Sequence, residues 1–388
     1  MSHQQPNQRQ TQIYLDHAAA TPLCDAAREA MEPLWVRDFG NASSPYATAR
    51  AARMALDGAR GEMAQLLGSH ADEITWTSGG TESDNWALLG VALPLLAQGE
   101  RGHFIVSAIE HHAILEAAAT LQELGFEVEE ARCDGDGVVQ PDEIARLLRP
   151  DTRLVSLMHV NNENGVVQPV ADAARVVKEN SDALFHTDAV QSVGKIPVDI
   201  SAMNVDLATV SGHKFGGPKG AGVLWVRRGE KLHPLLRGGA QERGRRAGTE
   251  NSAAIAGAGA AAREARGSLE VRSKSTVLLR EQLEAGLREI GARINGEGAV
   301  RAPHITNVSF SGVRAESLAL GLDLRGIAVG TGSACASGAL EPSHVLAAMG
   351  RSAEEARASL RVSLGNGNTE TDVATFLATV KELVSRFS

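Results

Sequence analysis

The chain has 388 residues, 43% hydrophobic and 22% charged, and a formal charge of −9 from 47 acidic against 38 basic side chains. These are ordinary globular values at a length that predicts two domains. The acidic excess argues against nucleic acid as a partner, and no apolar run reaches membrane-spanning length. Three widely spaced cysteines, Cys24, Cys133 and Cys335, form no CxxC metal motif and point to a reducing compartment.

Residues 1–12 are polar and glutamine-rich without an apolar core, which predicts a frayed tail and neither a signal peptide nor an anchor. Residues 73–76 read as a strand and 85–91 as a helix. Between them lies Thr-Ser-Gly-Gly-Thr-Glu-Ser at 77–83. The glycine pair, with Gly80 and the hydroxyl of Thr81, brings backbone N–H groups toward an anion at a helix N-terminus. The Gly-Lys-Ser/Thr ending of a P-loop is missing.

The apolar run 104–106 reads as a strand leading to Ile-Glu-His-His at 109–112. An imidazole there can stack on a ring and move protons near neutral pH. Adjacent histidines make poor metal ligands on a helix face. The residues alone do not decide between His111 and His112.

Residues 183–185 read as a buried strand with Asp188 near its C-terminal end, where open α/β sheets bind ligands. A carboxylate at that edge can keep a pyridine nitrogen protonated, although Asp188 alone reads equally as a helix cap. Gln191 follows within reach of the ring's phenolic oxygen. Residues 205–210 form the next strand, and Ser-Gly-His-Lys-Phe-Gly at 211–216 follows it. A lysine in such a turn needs a reason, because a buried ammonium must be paired or neutralised. Condensation of a desolvated amine with an aldehyde supplies one, so Lys214 points to pyridoxal 5'-phosphate as cofactor.

Alternating strands and helices to about residue 230 predict an α/β sheet with helices on both faces. An Ala/Gly-rich helix is predicted over 252–266 and a charged amphipathic helix over 270–290, leading into a smaller C-terminal domain. Gly-Thr-Gly-Ser-Ala-Cys-Ala-Ser-Gly at 330–338 places Cys335 in a loop with little to pack it, which suits a mobile nucleophile. A helix starting near 340, with Pro342 in its first turn, is expected to anchor the loop's end. Residues 359–365 read as a strand bearing Arg361, whose guanidinium can hold an α-carboxylate through two hydrogen bonds.

These strings, with Met-His-Val-Asn-Asn-Glu at 158–163, Gly-Gly-Ala-Gln-Glu-Arg-Gly at 238–244 and Arg-Ala-Gly-Thr-Glu-Asn at 246–251, resemble the NifS/IscS-type cysteine desulfurases. That group lies within the class V aminotransferases, and the resemblance runs from Ile13 to about Gly365. It implies an α/β fold of fold-type I, aspartate aminotransferase-like. Residues 17–260 would form the large domain with a mostly parallel sheet. Residues 1–16 and 261–388 would form a smaller α+β domain carrying the cysteine loop. It implies removal of sulfur from L-cysteine, leaving L-alanine and a persulfide on Cys335 for a protein sulfur acceptor. Iron–sulfur cluster assembly, thio-cofactor synthesis and tRNA thiolation are the outlets it allows.

By the same resemblance Lys214 and His111 act with Cys335 in catalysis, His111 as proton shuttle. Gly80, Thr81, His111, Asn162, Asp188, Gln191, Ser211, His213, Lys214 and Thr249 hold the cofactor, and Asn162 and Arg361 the substrate. Thr249 would reach the cofactor phosphate of a second subunit, implying a homodimer, and the setting would be cytoplasmic. No metal, membrane or nucleic acid is implied. The end of the chain soon after a final helix at 372–387 predicts weak binding to a standard iron–sulfur scaffold protein. The alternatives are a selenocysteine lyase, a cysteine sulfinate desulfinase, or a non-catalytic scaffold paralogue. The chain departs from the family pattern at His17, Tyr46 and Asn366, which bears on the substrate's surroundings.

Overall fold

The computed structural model describes residues 13–331 and 342–387. From Ile13 the chain runs as strand β1 (Ile13–Leu15) and helices α1 (Asp25–Val36) and α2 (Ala47–Leu67). It then alternates through β2 (Ile74–Thr77), α3 (Gly80–Ala97), β3 (His103–Ser107), α4 (His112–Glu123), β4 (Glu127–Ala131) and α5 (Pro141–Leu147). The alternation continues with β5 (Thr152–Ser156), α6 (Val170–Asn180), β6 (Leu184–Asp188), β7 (Leu207–Ser211) and β8 (Gly222–Val226). Helix α7 (Ser252–Glu289) follows, then β9 (Arg293–Ile294), β10 (Ile305–Ser309), α8 (Ala315–Asp323) and β11 (Ile327–Thr331). Helices α9 (His344–Ala348) and α10 (Ala353–Arg357), strand β12 (Ser359–Ser363) and helix α11 (Glu370–Phe387) complete it.

Seven strands form one sheet in the order β2-β8-β7-β6-β5-β3-β4. Neighbours from β7 through β4 are parallel, and β8 is antiparallel to both β7 and β2. Central strands β3, β7 and β8 are buried at every residue, which is why they read as unbroken apolar runs. One face packs on α2, α6 and the first half of α7, the other on α3 and α4. The strand order reverses direction between β3 and β5, and the C-terminal ends of β2, β3, β5, β6 and β7 meet at one edge. That edge is where an open α/β sheet leaves a crevice.

A second sheet, β1-β11-β12-β10-β9, packs on the far half of α7 together with α8 and α11. It joins the ends of the chain: β1 pairs in parallel with β11, and Ala18 N–H donates to Ser363 Oγ at 2.9 Å. Among the described residues no helix is long and apolar enough to cross a membrane.

The two helices expected over 252–266 and 270–290 are one helix of 38 residues. The change from alanine-rich to charged composition marks a change of surroundings and not a break. The first half is buried, with Gly259 so close to α2 that a Cβ there would lie 2.4 Å from Ala59 Cα. The charged middle runs through solvent. Helix α9 also differs from its expected start near residue 340. It begins at His344, capped by Ser343, so Pro342 precedes it.

Candidate active site

A cavity of about 320 Å³ opens at the carboxyl edge of the large sheet. Gly80, Thr81, His111, Asn162, Asp188, Gln191, Ser211, His213, Lys214 and Arg361 all line it. Larger clefts of about 450 and 610 Å³ lie elsewhere on the surface and hold none of these residues. Thr249 is exposed in the loop before α7 and does not reach its own chain's cavity. Cys335 lies outside the described residues.

Lys214 ends a single turn of 3₁₀ helix directly after β7. Its ammonium donates to the carbonyls of Ala18 at 2.7 Å and Ala19 at 2.8 Å. Thr21 ties this N-terminal strap to the lysine turn, donating to His213 O and accepting from Gly216 N–H, both at 2.8 Å. Burial, with the Arg361 guanidinium nearby, lowers the Lys214 amine to about 8. A lysine brought that close to neutrality is a nucleophile at physiological pH.

Asp188 closes β6 and is 5% exposed. Val190 N–H donates to its Oδ1 at 2.8 Å. Burial raises its carboxyl to about 6 against the pull of that N–H and of Lys214. Behind it His186 is fixed between the Ser156 hydroxyl at 2.9 Å and the Thr209 hydroxyl at 3.0 Å. Asp84, which the sequence reading missed, also lines the cavity, 1% exposed and with no hydrogen-bond partner for Oδ1. Burial and the neighbouring Asp188 hold its carboxyl well above the usual range. The available signal was its spacing: Asp84 stands four residues after Gly80 and shares its helix face.

The opposite end is built for an anion. Helix α3 starts at Gly80 with Gly79 as cap and no side-chain cap, so its first N–H groups are free to bind. Only glycine at 222 lets β8 pass beneath this turn, because a Cβ there would lie 2.5 Å from Gly79 Cα. The Ser211 hydroxyl and His213 Nδ1 are 2.9 Å apart on the same rim. His111, and not His112, faces the cavity. It caps α4, with Nδ1 accepting from Ala113 N–H at 3.1 Å, so a neutral ring carries its proton on Nε2. Its ring touches solvent yet is surrounded by protein. Desolvation and the Lys214 charge lower the imidazole to about 4.

Arg361 stands on β12, 3% exposed. One terminal nitrogen donates to Asn162 O at 3.0 Å and the other to Asp16 Oδ1 at 2.8 Å, while buried Nε has no partner. Gln191 donates to Ala18 O at 2.8 Å, and its Oε1 lies 3.4 Å from His304 Nε2. Asp16 and His304 were also missed. Their contacts are made across 345 and 113 residues of chain, a distance no local pattern reports.

The donor set fits pyridoxal phosphate. Helix N–H groups and hydroxyls suit the phosphate, a buried carboxylate suits the pyridine nitrogen, and a near-neutral lysine suits the aldehyde. Arg361 brings a guanidinium to the same cavity, which suits a carboxylate.

The profile described as aminotransferase class-V matches residues 13–376. The chain is 45% identical to the cysteine desulfurase IscS of Methanosarcina thermophila, over 96% of this chain and 92% of that one. It is likewise 45% identical to the IscS of Dictyoglomus turgidum, over 97% and 95%. A solved structure of a NifS-like protein superposes with a TM-score of 0.91 at 38% identity, covering 97% of this chain and all of the other. Another, SspA in complex with cysteine, superposes at 0.82 with 35% identity over 91% and 98%.

Proposed function

The chain belongs to the class-V aminotransferase family, and we infer that it is a pyridoxal phosphate-dependent cysteine desulfurase that takes sulfur from L-cysteine onto Cys335 and releases alanine. The observation that carries the reading is the convergence of Lys214, Asp188 and Arg361 on one cavity. A Schiff-base amine, a ring-nitrogen carboxylate and an α-carboxylate anchor are the three groups this chemistry needs.

Gly80, Thr81, Ser211 and His213 would hold the cofactor's phosphate, Asp188 its ring nitrogen, Gln191 its phenolic oxygen and Lys214 its aldehyde carbon. The bound cofactor supplies an electron sink beside the substrate's α-carbon. Arg361 and Asn162 orient the cysteine, and the Lys214 amine, lowered to about 8, takes the α-proton. His111, kept neutral, offers its Nε2 proton to the cavity. Cys335, as thiolate, attacks the substrate sulfur. A sulfur–sulfur bond forms as the carbon–sulfur bond breaks, and the three-carbon remainder leaves as alanine after protonation. The other thiols suit this work poorly: burial pushes Cys24 up, and Cys133 up to about 11.

The exposure of Thr249 away from its own cavity supports a homodimer in which its hydroxyl serves the second copy. A thiolate that must survive between turnovers supports a cytoplasmic, reducing setting. The persulfide then passes to a protein acceptor.

Cys335→Ser tests the reading. The variant retains pyridoxal phosphate and binds cysteine but accumulates no persulfide. Alkylation after a cysteine pulse, followed by mass spectrometry of wild type, finds the added sulfur on Cys335. Sulfur on Cys24 or Cys133 with none on Cys335 would refute it.

A further inference from the structure

Two segments at the cavity each turn one residue inward and grip the start of α9 with its immediate neighbour. The turn at 161–164 is built by Asn161, whose Oδ1 accepts from Glu163 N–H at 2.9 Å and Asn164 N–H at 3.1 Å. It presents Asn162 to the cavity and Glu163 to Ser343, whose hydroxyl donates to Glu163 Oε2 at 2.5 Å. The turn at 110–112 presents His111 to the cavity, while Glu110 O accepts from His344 Nε2 at 2.8 Å. Ser343 and His344 are the cap and first residue of α9. Val345 and Leu346 then bury themselves in the main core.

Helix capping does not explain Glu163. Ser343 caps α9 by accepting from Leu346 N–H at 3.1 Å, which needs only its lone pairs. The Glu163 carboxylate engages the remaining hydroxyl proton, at 4% exposure. A carboxylate is costly to bury for one hydrogen bond, and an apolar residue would pack there at less cost. Its charge also feels Arg361, the substrate anchor, which works against the rise toward 7 that burial imposes. Glu163 therefore touches the end of the cysteine-bearing stretch and senses the substrate-binding group.

We propose that Glu163 and Ser343 are positioning residues for sulfur transfer, their hydrogen bond fixing the start of α9, a short stretch of chain beyond Cys335, relative to a substrate held by Asn162 and Arg361. This rests on the desulfurase reading. Cys335 precedes Ser343 by eight residues, and sulfur-to-sulfur attack tolerates little error in approach.

The test uses holoenzyme of wild type, Ser343→Ala, Ser343→Thr and Glu163→Gln. Persulfide on Cys335 is followed by rapid-quench alkylation in a single turnover, alongside the cofactor absorbance and the cysteine KM. Ser343→Ala is expected to keep the cofactor band and a KM within about twofold while forming persulfide roughly tenfold slower. Ser343→Thr restores the hydroxyl and recovers to within about threefold, and Glu163→Gln falls between the two. A wild-type rate in Ser343→Ala overturns the proposal, as does a rate lost only in proportion to cofactor or cysteine binding. Absence of Cys335 persulfide in wild type would instead overturn the desulfurase reading itself.

Discussion

Gly330→Ala should disable substrate binding without replacing a residue that contacts substrate. Gly330 faces Arg361 across the β11–β12 ladder, so its backbone cannot retreat without breaking that pairing. A Cβ at 330 would lie 2.8 Å from an Arg361 terminal nitrogen, 2.8 Å from Asp16 Oδ1 and 2.9 Å from Arg361 Nε. Ordinary contact needs roughly 3.5 Å, so the guanidinium and its carboxylate partner must move by about 0.6 Å or more. A charge-assisted hydrogen bond is worth about 1.5–3 kcal/mol, and each 1.4 kcal/mol is about tenfold in affinity. The expected result is a cysteine KM raised roughly tenfold to a hundredfold. The cofactor band should stay as in wild type, since Lys214 and Asp188 are not displaced. Steady-state kinetics with an absorbance scan measure both. A KM within about threefold of wild type would refute Arg361 as the carboxylate anchor.

Two further outcomes follow from the charges buried around the site. Burial lowers the Lys214 amine from 10.5 to about 8, so folding is penalised wherever the lysine is charged: the stability is present above 10.5 and lost as pH falls through 8. Lys214→Met should therefore stabilise the cofactor-free protein by about 1–3 kcal/mol near pH 7 in urea titrations, a gain that vanishes by about pH 10.5; a pH-independent difference would contradict this. Glu242→Ala should cost about 3–5 kcal/mol, because it strands the buried Arg60 guanidinium held at 2.7 and 2.8 Å. It also frees a turn whose residues Glu242 and Arg243 sit at φ 47° and 59°. Chemical denaturation showing a loss below about 1 kcal/mol would disprove that account.

The parts of the site that local chemistry builds were readable from sequence. Asp188 and Lys214 each follow an apolar run that could only be a buried strand, and the polar turn after it had to face the crevice. The sequence pattern shows α3 only from residue 85 and not from Gly80, since a glycine cap leaves no side-chain signature. Helix α7 reads as two helices in the sequence because composition reports surroundings as well as conformation. Asp16, Asp84 and His304 escaped because their meaning lies in partners on other elements: Arg361, Asp188 and Gln191. Thr249 was legible only through likeness to relatives. The cavity of one chain gives it no task.

The union of β1 with β11 and of Asp16 with Arg361 sets a schedule for birth as well as a shape. The N-terminal partner leaves the ribosome first and then waits while 345 further residues are made. At about 5–20 residues per second that wait is roughly 20–70 s. For that time strand β1 has an open edge, the Ala18 and Ala19 carbonyls have no lysine until residue 214 emerges, and no substrate anchor exists. On the proposed reading, a nascent chain that has not yet reached Arg361 has no partner for Asp16 and no anchor for cysteine's carboxylate, so it cannot begin drawing sulfur from cysteine.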